Sequence, residues 1–345
     1  MSRHVNIPVF IPHLGCPNQC VFCNQRTISG VEEFDKNSLT ELIEQSLSTV
    51  SQDDEVEIAF FGGSFTGIDR QLMTELLDTA YEYIKSGRVS SIRCSTRPDY
   101  IDAEVLSILK SRGVKVIELG LQSASDKVLK AAKRGHTREC EIRACKMIVD
   151  GGFELVGQMM IGLPKSTRDD ELETARLIIE CGATGARIYP TVVFRGTELC
   201  DMAIDGSYEP LPLDEAVERS AAVFDLFLKN DVKIIRIGLC SSENLSSEST
   251  YHSGPNHPAI GELVLNRFYY DGIYREAKKL SLTRDDILYV AVAKGALSKA
   301  IGQKKRNKIL LTEKLVLREI CFLEDGSLGE HDFKVMKHLG EKECI

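Results

Sequence analysis

The sequence predicts an α/β protein: a parallel sheet covered by helices, followed by a small α+β extension. Three observations carry this. Short runs rich in Val, Ile and Phe alternate with longer amphipathic stretches through the first two-thirds of the chain. The runs are near-continuously apolar, as strands buried on both faces are. Strand and helix signals alternate six or so times, the pattern of βα units. An open or partial β/α barrel and a doubly wound sheet both satisfy it.

In order along the chain, "VNIPVFIP" reads as the first strand, too short for a core helix and bounded by Pro. "SLTELIEQSLSTV" then places Leu39, Leu42, Ile43, Leu47 and Val50 on one helical face, and Ser38 with Glu41 makes a capping box. "EVEIAFF" is the next strand. The helix around "RQLMTELLDTAYEYIKSG" repeats the amphipathic pattern and stops at Gly87. "VSSIRCS", "VKVIELGLQS", "FELVGQMMIGL", "GARIYPTVV" and "VKIIRIGL" supply further strands, and similar helices end at Gly113 and Gly182. After about Leu239, "CSSENLSSESTYHSGPNHPA" is a Ser-rich loop punctuated by Gly and Pro, a boundary or lid. The expected domains are therefore 1–240 and 241–345. In the extension, helices are expected near Glu262–Tyr270 and Arg284–Ala300. "KILLTEKLVLREICFLEDGSL" reads as short strands with a turn at Asp325 and Gly326.

Composition narrows the function classes. The chain has 345 residues, long for one compact domain. No run approaches the roughly 18 apolar residues of a membrane span. "MSRHVNIPVF" lacks the apolar stretch and cleavage site of a signal peptide, so a cytoplasmic protein without membrane attachment is expected. Eleven cysteines, an odd count without regular spacing beyond one cluster, argue against a disulfide scaffold. Cys94, Cys140, Cys145, Cys181, Cys200, Cys240, Cys321 and Cys344 read as buried small hydrophobes or inert thiols. A net charge of −8 argues against a nucleic-acid binder over the whole surface. One stretch departs from that: "KGALSKAIGQKKRNK" carries Lys294, Lys299, Lys304, Lys305, Arg306 and Lys308 with no acid. It reads either as a contact for an RNA phosphate backbone or as a solvated helix face and loop.

The remaining cysteines are grouped. "GCPNQCVFCNQ" places Cys16, Cys20 and Cys23 within eight residues. Three thiolates suit iron or zinc. A structural zinc site needs a fourth ligand, for which His13 is the nearby candidate. A 4Fe–4S cubane is ordinarily held by four cysteines, so three leave one iron open. An open cluster, a zinc site and inert thiols are the readings at this point.

Polar residues gather where strands end, the place site residues occupy in a β/α barrel. The second strand is followed by "FFGGSFTG", where Gly62 and Gly63 allow close approach of backbone to a ligand, or simply make a tight turn. The third ends in "CSTRPDY" with Ser95, the fourth in "ELGLQS" with Gln122 and Ser123, and the fifth is "GQMMIGLP" with Gln158. Any one of these fits a satisfied core group; together they fit a cavity. "KRGHT" adds Arg134 and His136, a bidentate carboxylate partner or a surface ion pair.

"CPNQCVFC", a CxxxCxxC motif with an aromatic before its last cysteine, resembles the signature of radical S-adenosylmethionine (radical SAM) enzymes. The resemblance implies a partial (β/α)6 TIM-like barrel, with Cys16, Cys20 and Cys23 ligating a 4Fe–4S cluster whose open iron chelates the amino and carboxylate groups of SAM. An electron from a donor such as flavodoxin or ferredoxin would split the sulfonium and release a 5′-deoxyadenosyl radical. "FFGGSFTG" resembles the superfamily's Gly-Gly-Glu segment for the SAM ammonium, with Ser64 in place of the acid. "STRPDY", "ELGLQS", "KRGHT", "GLP" and "RIYPTVVFRGTELC" together resemble, from about residue 8 to 240, the radical SAM core of the catalytic subunit of the Elongator complex, which modifies wobble uridine in tRNA. On that resemblance Gly62, Gly63, Ser64, Ser95, Gln122, Arg134 and Gln158 surround SAM, and Tyr189, Thr191, Arg195 and Thr197 line or brace the cavity floor. Two features depart from it. The first two cluster cysteines are closer together, and no acetyl-CoA loop of the form Q/R-x-x-G-x-G/A occurs. The Gln122 and Arg134 region also resembles oxygen-independent coproporphyrinogen oxidase. A small metabolite or porphyrin-like substrate is therefore the alternative to RNA, and a non-catalytic metal protein is the reading from another class.

Overall fold

The structure, a computed structural model, describes residues 3–11, 14–16, 20–24, 34–51, 53–239 and 247–338. It divides into two compact units, Met1–Ala216 with Leu226–Asn256, and Val217–Asp225 with His257–Ile345.

The first unit is built on β1 (His4–Ile11), β2 (Glu55–Gly62), β3 (Ser91–Thr96), β4 (Val114–Gln122), β5 (Glu154–Ile161), β6 (Gly185–Pro190), the two-residue β7 (Val193–Phe194) and β8 (Lys233–Ile237). Among the described residues seven of these form one sheet, in the order β1-β2-β3-β4-β5-β6-β8. Every neighbouring pair is parallel. Strand order follows chain order and never reverses, whereas a doubly wound sheet requires a reversal. Of the two architectures open to the sequence, this is the partial β/α barrel. The strand Lys233–Ile237 extends it one strand beyond a six-fold repeat. The short β9 (Tyr251–Ser253) returns to pair antiparallel with β7.

Helices α1 (Leu39–Leu47), α2 (Arg70–Lys85), α3 (Ala103–Ser111), α4 (Asp126–Ala131), α5 (Arg138–Asp150), α6 (Arg168–Glu180) and α7 (Glu198–Ile204) connect the strands. α8 (Leu213–Leu228) runs through the division between the units. Gly87, Gly113 and Gly182 end their helices at φ 73°, 75° and 76°, left-handed as the sequence suggests. The capping box expected at Ser38 and Glu41 is not formed. Ser38 Oγ donates instead to Asp35 O at 2.8 Å, and Asp35 accepts from Asn37 N at 2.9 Å. The box occurs at α6, where Thr167 and Asp170 cap each other.

The strands alternate more than their apolar runs suggest. Ile58 and Phe60 of β2, Ile92 and Cys94 of β3, Ile117 and Leu119 of β4, and Leu155 and Met159 of β5 are fully buried. Their face meets the helices: a Cβ on Gly157 would lie 2.6 Å from Ile178 of α6. The opposite, inner face carries Glu57, Arg93, Glu118 and Arg187 in one bonded row.

The second unit contains β10 (Ile287–Val292), β11 (Glu319–Glu324) and β12 (Phe333–Met336) in the order β11-β10-β12, with α9 (Ile260–Ala277), α10 (Leu297–Ile301) and α11 (Arg306–Leu315). Two expectations are corrected here. Residues 284–300 are not one helix: Leu288, Val290 and Val292 alternate along a buried central strand. "KILLTEKL" is helix rather than strand, because Lys, Glu and Leu favour helix and only Leu311 of this stretch is fully buried. Phe224, Phe268, Tyr269 and Phe333 form an edge-to-face aromatic core with centroids 5.1–5.9 Å apart between successive rings.

Candidate cofactor site at the strand ends

The loop that carries Cys16 is fitted backbone to backbone onto the loop after β2. Gly15 has φ 72°, and a Cβ there would stand 2.2 Å from Ser64 O. A Cβ on Gly63 would stand 2.3 Å from Leu14 O, and Ser64 N donates to Leu14 O at 3.2 Å. Gly62 has φ 109° and packs on Ile11. The paired glycines of "FFGGSFTG" thus bring the first cysteine loop against the sheet. Ser64 is fully buried beneath it. Its hydroxyl bonds Thr96 Oγ1 at 2.9 Å and accepts from Arg97 N at 3.2 Å.

Cys20 and Cys23 lie in a turn closed by Cys23 N to Cys20 O at 3.0 Å. Val21 between them anchors the turn in the core with Val128, Ala132, Leu163 and Leu199. It donates to Ala132 O at 3.2 Å and accepts from Leu199 N at 2.8 Å.

Two guanidinium groups converge on the Cys20 sulfur. Arg134 Nη1 lies 3.3 Å from Cys20 Sγ and Arg97 Nη1 3.8 Å. Both arginines are buried, at 5% and 4% exposure. Arg97 forks onto Asp99 with bonds of 2.9 and 2.8 Å and donates to Arg134 O, which ties its side chain to the Arg134 backbone. Burial pushes the Cys16 thiol upward; Arg97 and Arg134 oppose this, and Cys20 adds to it. As they stand, no three His, Cys, Asp or Glu side chains among the described residues are gathered closely enough to hold a metal ion.

Arg134 Nη2 also donates to Gly120 O at 2.5 Å, which ties it to the end of β4. There a register shift between Gly120 and Gln122 against β5 leaves Gln122 at φ 73°, rare for a residue with a side chain. A Cβ on Gly120 would meet Gln122 Nε2 at 3.1 Å and Arg134 Nη2 at 3.3 Å. Gln122 Oε1 and Arg134 Nε are both buried and have no hydrogen-bond partner among the described residues. Gln158 of β5 stands opposite Gly120 in the ladder, and Ser95 of β3 stands opposite Glu118. Ser95 and Gln158 are half-buried on the inner face.

Beneath these residues runs a row of buried charges. Arg93 donates to Glu57 Oε2 at 2.7 Å and to Glu118 Oε1 at 3.1 Å. Arg187 pairs with Glu118 at 2.8–2.9 Å, and His4 with Glu57 at 2.8 Å. Arg187 Nη1 reaches Tyr189 Oη at 3.5 Å, and burial raises the Tyr189 phenol. A second buried pair lies two residues along from Arg134 in the chain: His136 Nε2 and Glu141 Oε1 are 2.9 Å apart. Burial, assisted by Arg134, drops His136 to about 3, while burial pushes Glu141 well above the carboxylate range.

The structure thus brings Cys16, Cys20, Gly62, Gly63, Ser64, Gln122 and Arg134 together at the ends of β2 to β4. Thr191 and Thr197 engage the backbone at Ile161 O and Phe194 O, and Arg195 bonds Glu248 O. Sequence reasoning missed Arg97, although "STRPDY" contains it; its signal was an Arg–x–Asp fork directly after a strand end. It also missed the charged row. His13, Cys240 and Cys344 lie outside the described residues.

Comparison with known proteins identifies the fold's lineage. Residues 10–178 match the radical SAM superfamily and residues 183–270 match the radical SAM C-terminal domain. The chain belongs to the radical SAM superfamily. The superfamily's cofactors, a 4Fe–4S cluster and S-adenosylmethionine, are its cofactors. Among similar proteins, the tRNA uridine(34) acetyltransferase of Methanocaldococcus jannaschii is 28% identical over 196 residues, 51% of this chain and 36% of that protein. Human Elongator complex protein 3 is 30% identical over 193 residues, 49% of this chain and 35% of that protein. The chain therefore spans about a third of the length of these two relatives. The solved structure of Methanocaldococcus infernus Elp3 superposes with a TM-score of 0.64 at 22% identity, covering 79% of this radical SAM chain and 64% of that one. No helix of the described residues is long and apolar enough to cross a membrane.

Proposed function

We propose that this radical SAM enzyme modifies a nucleoside in RNA, with tRNA as the substrate class, and that Cys16, Cys20 and Cys23 hold its cluster. The observation that carries the site assignment is the pair of orphaned atoms at the end of β4. A buried acceptor, Gln122 Oε1, and a buried donor, Arg134 Nε, face no partner among the described residues. Leaving each unmet costs about 1–3 kcal/mol. An amino-acid end group, with its ammonium and carboxylate, supplies both missing partners at once. The thiol donor set suits iron, and the two arginines on Cys20 suit the charge of a thiolate.

When bound, the cluster and SAM supply a 5′-deoxyadenosyl radical able to abstract a hydrogen atom. The chain's own residues do the rest. Gln122 and Arg134 bind the amino-acid end of SAM. Arg97, fixed by Asp99, orients Cys20 and the carbonyl of Arg134. The glycine seam at Gly15, Gly62 and Gly63 holds the cysteine loop on the sheet. The inner face beyond, with Ser95, Gln158 and Tyr189, receives the substrate and keeps water from it. The RNA reading draws support from the core shared with two proteins named for tRNA uridine and Elongator. A one-electron donor of the flavodoxin or ferredoxin class completes the requirement.

Anaerobically purified, dithionite-reduced protein incubated with SAM and bulk tRNA should yield 5′-deoxyadenosine together with a new nucleoside in the tRNA digest. Unchanged nucleosides with every RNA offered, while SAM is cleaved, would move the substrate to a small molecule.

A further inference from the structure

The second unit carries a surface that the cofactor site does not explain. On α9, Tyr270 and Tyr274 sit one turn apart with parallel rings, 3° between planes and 6.4 Å between centroids. Cations lie over both. Lys314 of α11 is 4.7 Å from the Tyr274 centroid and 6.0 Å from that of Tyr270; Lys278 is 5.8 Å from Tyr274, and Arg267 5.8 Å from Tyr270. Arg267 is neutralised by Asp271 and Glu218 at 2.7 and 3.2 Å. Lys278 and Lys314 form no ion pair with the described residues.

The exposed face of α11 leads away from these rings through Leu310 to Arg306, spaced four residues apart, so about 12 Å of helix separates Lys314 from Arg306. Immediately before it stand Lys304 and Lys305, both exposed and both left-handed, at φ 52° and 61°. Two successive lysines rarely adopt that conformation. Here the loop is fixed from below. Asn307 Nδ2 donates to Asn266 O at 2.7 Å and to Ala300 O at 3.0 Å, and a Cβ on Gly302 would crowd Asn307 at 3.0 Å. Lys304, Lys305 and Arg306 likewise form no ion pair with the described residues, whereas Lys308 of the same run is paired with Glu319 at 3.2 Å.

Five cations without an ion pair among the described residues, two of them over a pair of parallel aromatic rings, are a local exception in a chain of net charge −8 and suit an anionic ligand. A protein interface would have to bury those charges, which interface cores exclude. Single-stranded nucleic acid uses both elements: phosphates take the lysines, and bases take the rings by stacking. We propose that Tyr270, Tyr274, Lys278, Lys304, Lys305, Arg306 and Lys314 form a binding surface for single-stranded RNA. It deepens the RNA reading above and rests on it.

The test uses the full chain with a fluorescein-labelled twelve-residue oligouridylate and with bulk tRNA. Ultraviolet cross-links, mapped by mass spectrometry, should fall on the peptide containing Tyr270 and Tyr274. The double variant Y270A/Y274A should bind the oligonucleotide at least tenfold more weakly, while Y270F/Y274F, which keeps the rings, should bind as the parent does. K304E/K305E changes only exposed side chains and serves if the alanine pair fails to fold. It should also weaken binding at least tenfold and flatten the slope of log Kd against log salt by about 1.4. If the parent binds RNA but all variants bind equally well, or cross-links map elsewhere, this surface is wrong and the RNA reading stands. If the parent binds neither RNA, both fall.

Discussion

Replacing Glu141 by Gln tests how the buried His136–Glu141 pair is protonated. Glu141 is fully buried, its Oε1 bonds His136, and burial raises its carboxyl. His136 falls from its ordinary 6.5 to about 3, by burial first and then by Arg134. Burial thus favours the neutral form of both partners in the native pair. The signs oppose each other. A lowered His means the unfolded chain binds the extra proton between pH 6.5 and about 3, so stability is lost as pH falls through that window. A raised Glu means the native state binds the extra proton above its ordinary 4.5, so stability is lost as pH rises. Above 4.5 and below 6.5 the two slopes oppose each other, and below 4.5 the His limb stands alone. One proton of difference is worth about 1.4 kcal/mol per pH unit. Glu141→Gln removes the alkaline limb alone. Its acid loss then begins at 6.5 rather than 4.5 and totals about 5 kcal/mol by pH 3, because the His limb spans about 3.5 units. Urea unfolding midpoints from pH 4 to 8 measure this. The stability of the parent minus that of the variant should fall as pH rises above 4.5, with a slope of up to about 1.4 kcal/mol per pH unit while the buried acid keeps its proton, and other groups cancel in the difference. Parallel profiles would mean Glu141 is ionised in the native state, and the reasoning would fail.

Three further outcomes follow from the same geometry. Arg97→Met removes the Asp99 fork and one donor to Cys20, and should lower the midpoint potential of the reconstituted cluster, read by redox titration with electron paramagnetic resonance. Arg97→Lys should recover the potential only in part, and a potential unchanged in both variants would remove Arg97 from the site. Gly15→Ala places a Cβ 2.2 Å from Ser64 O and should cut iron incorporation, measured per chain after anaerobic reconstitution, several-fold. Full incorporation would show the seam is not needed. Glu118→Ala leaves Arg93 and Arg187 buried without their shared carboxylate and should cost about 3–5 kcal/mol in urea unfolding. A loss under about 1 kcal/mol would mean the row is open to water.

The sheet was legible because its outward face is continuously apolar: Ile58, Phe60, Ile117 and Leu119 leave little choice. The inner face was not, since Glu57, Arg93, Glu118 and Arg187 are scattered over more than a hundred residues and only the parallel register makes them neighbours. The cysteine motif stands out by spacing alone, and Gln122 and Arg134 lie near it at the end of β4, where the strand-end pattern pointed; their roles are proposed. Arg97 was hidden in a segment whose hydroxyl drew attention first. The glycines were read as space for a ligand, and the structure fills the space beside them with the backbone of the cysteine loop. In the extension the reading failed at residues 284–300, where alternation at period two was mistaken for a helix.

The central claim is that Cys16, Cys20 and Cys23 would hold the cluster and that Gln122 and Arg134 would hold the amino-acid end of SAM. The direct measurement is electron paramagnetic resonance of the reduced, anaerobically reconstituted protein, with and without SAM. The spectrum should change on adding SAM in the parent, change little in the double variant Q122A/R134M, and vanish in C16A, C20A and C23A. A cysteine variant that keeps the signal and its response to SAM would contradict the account.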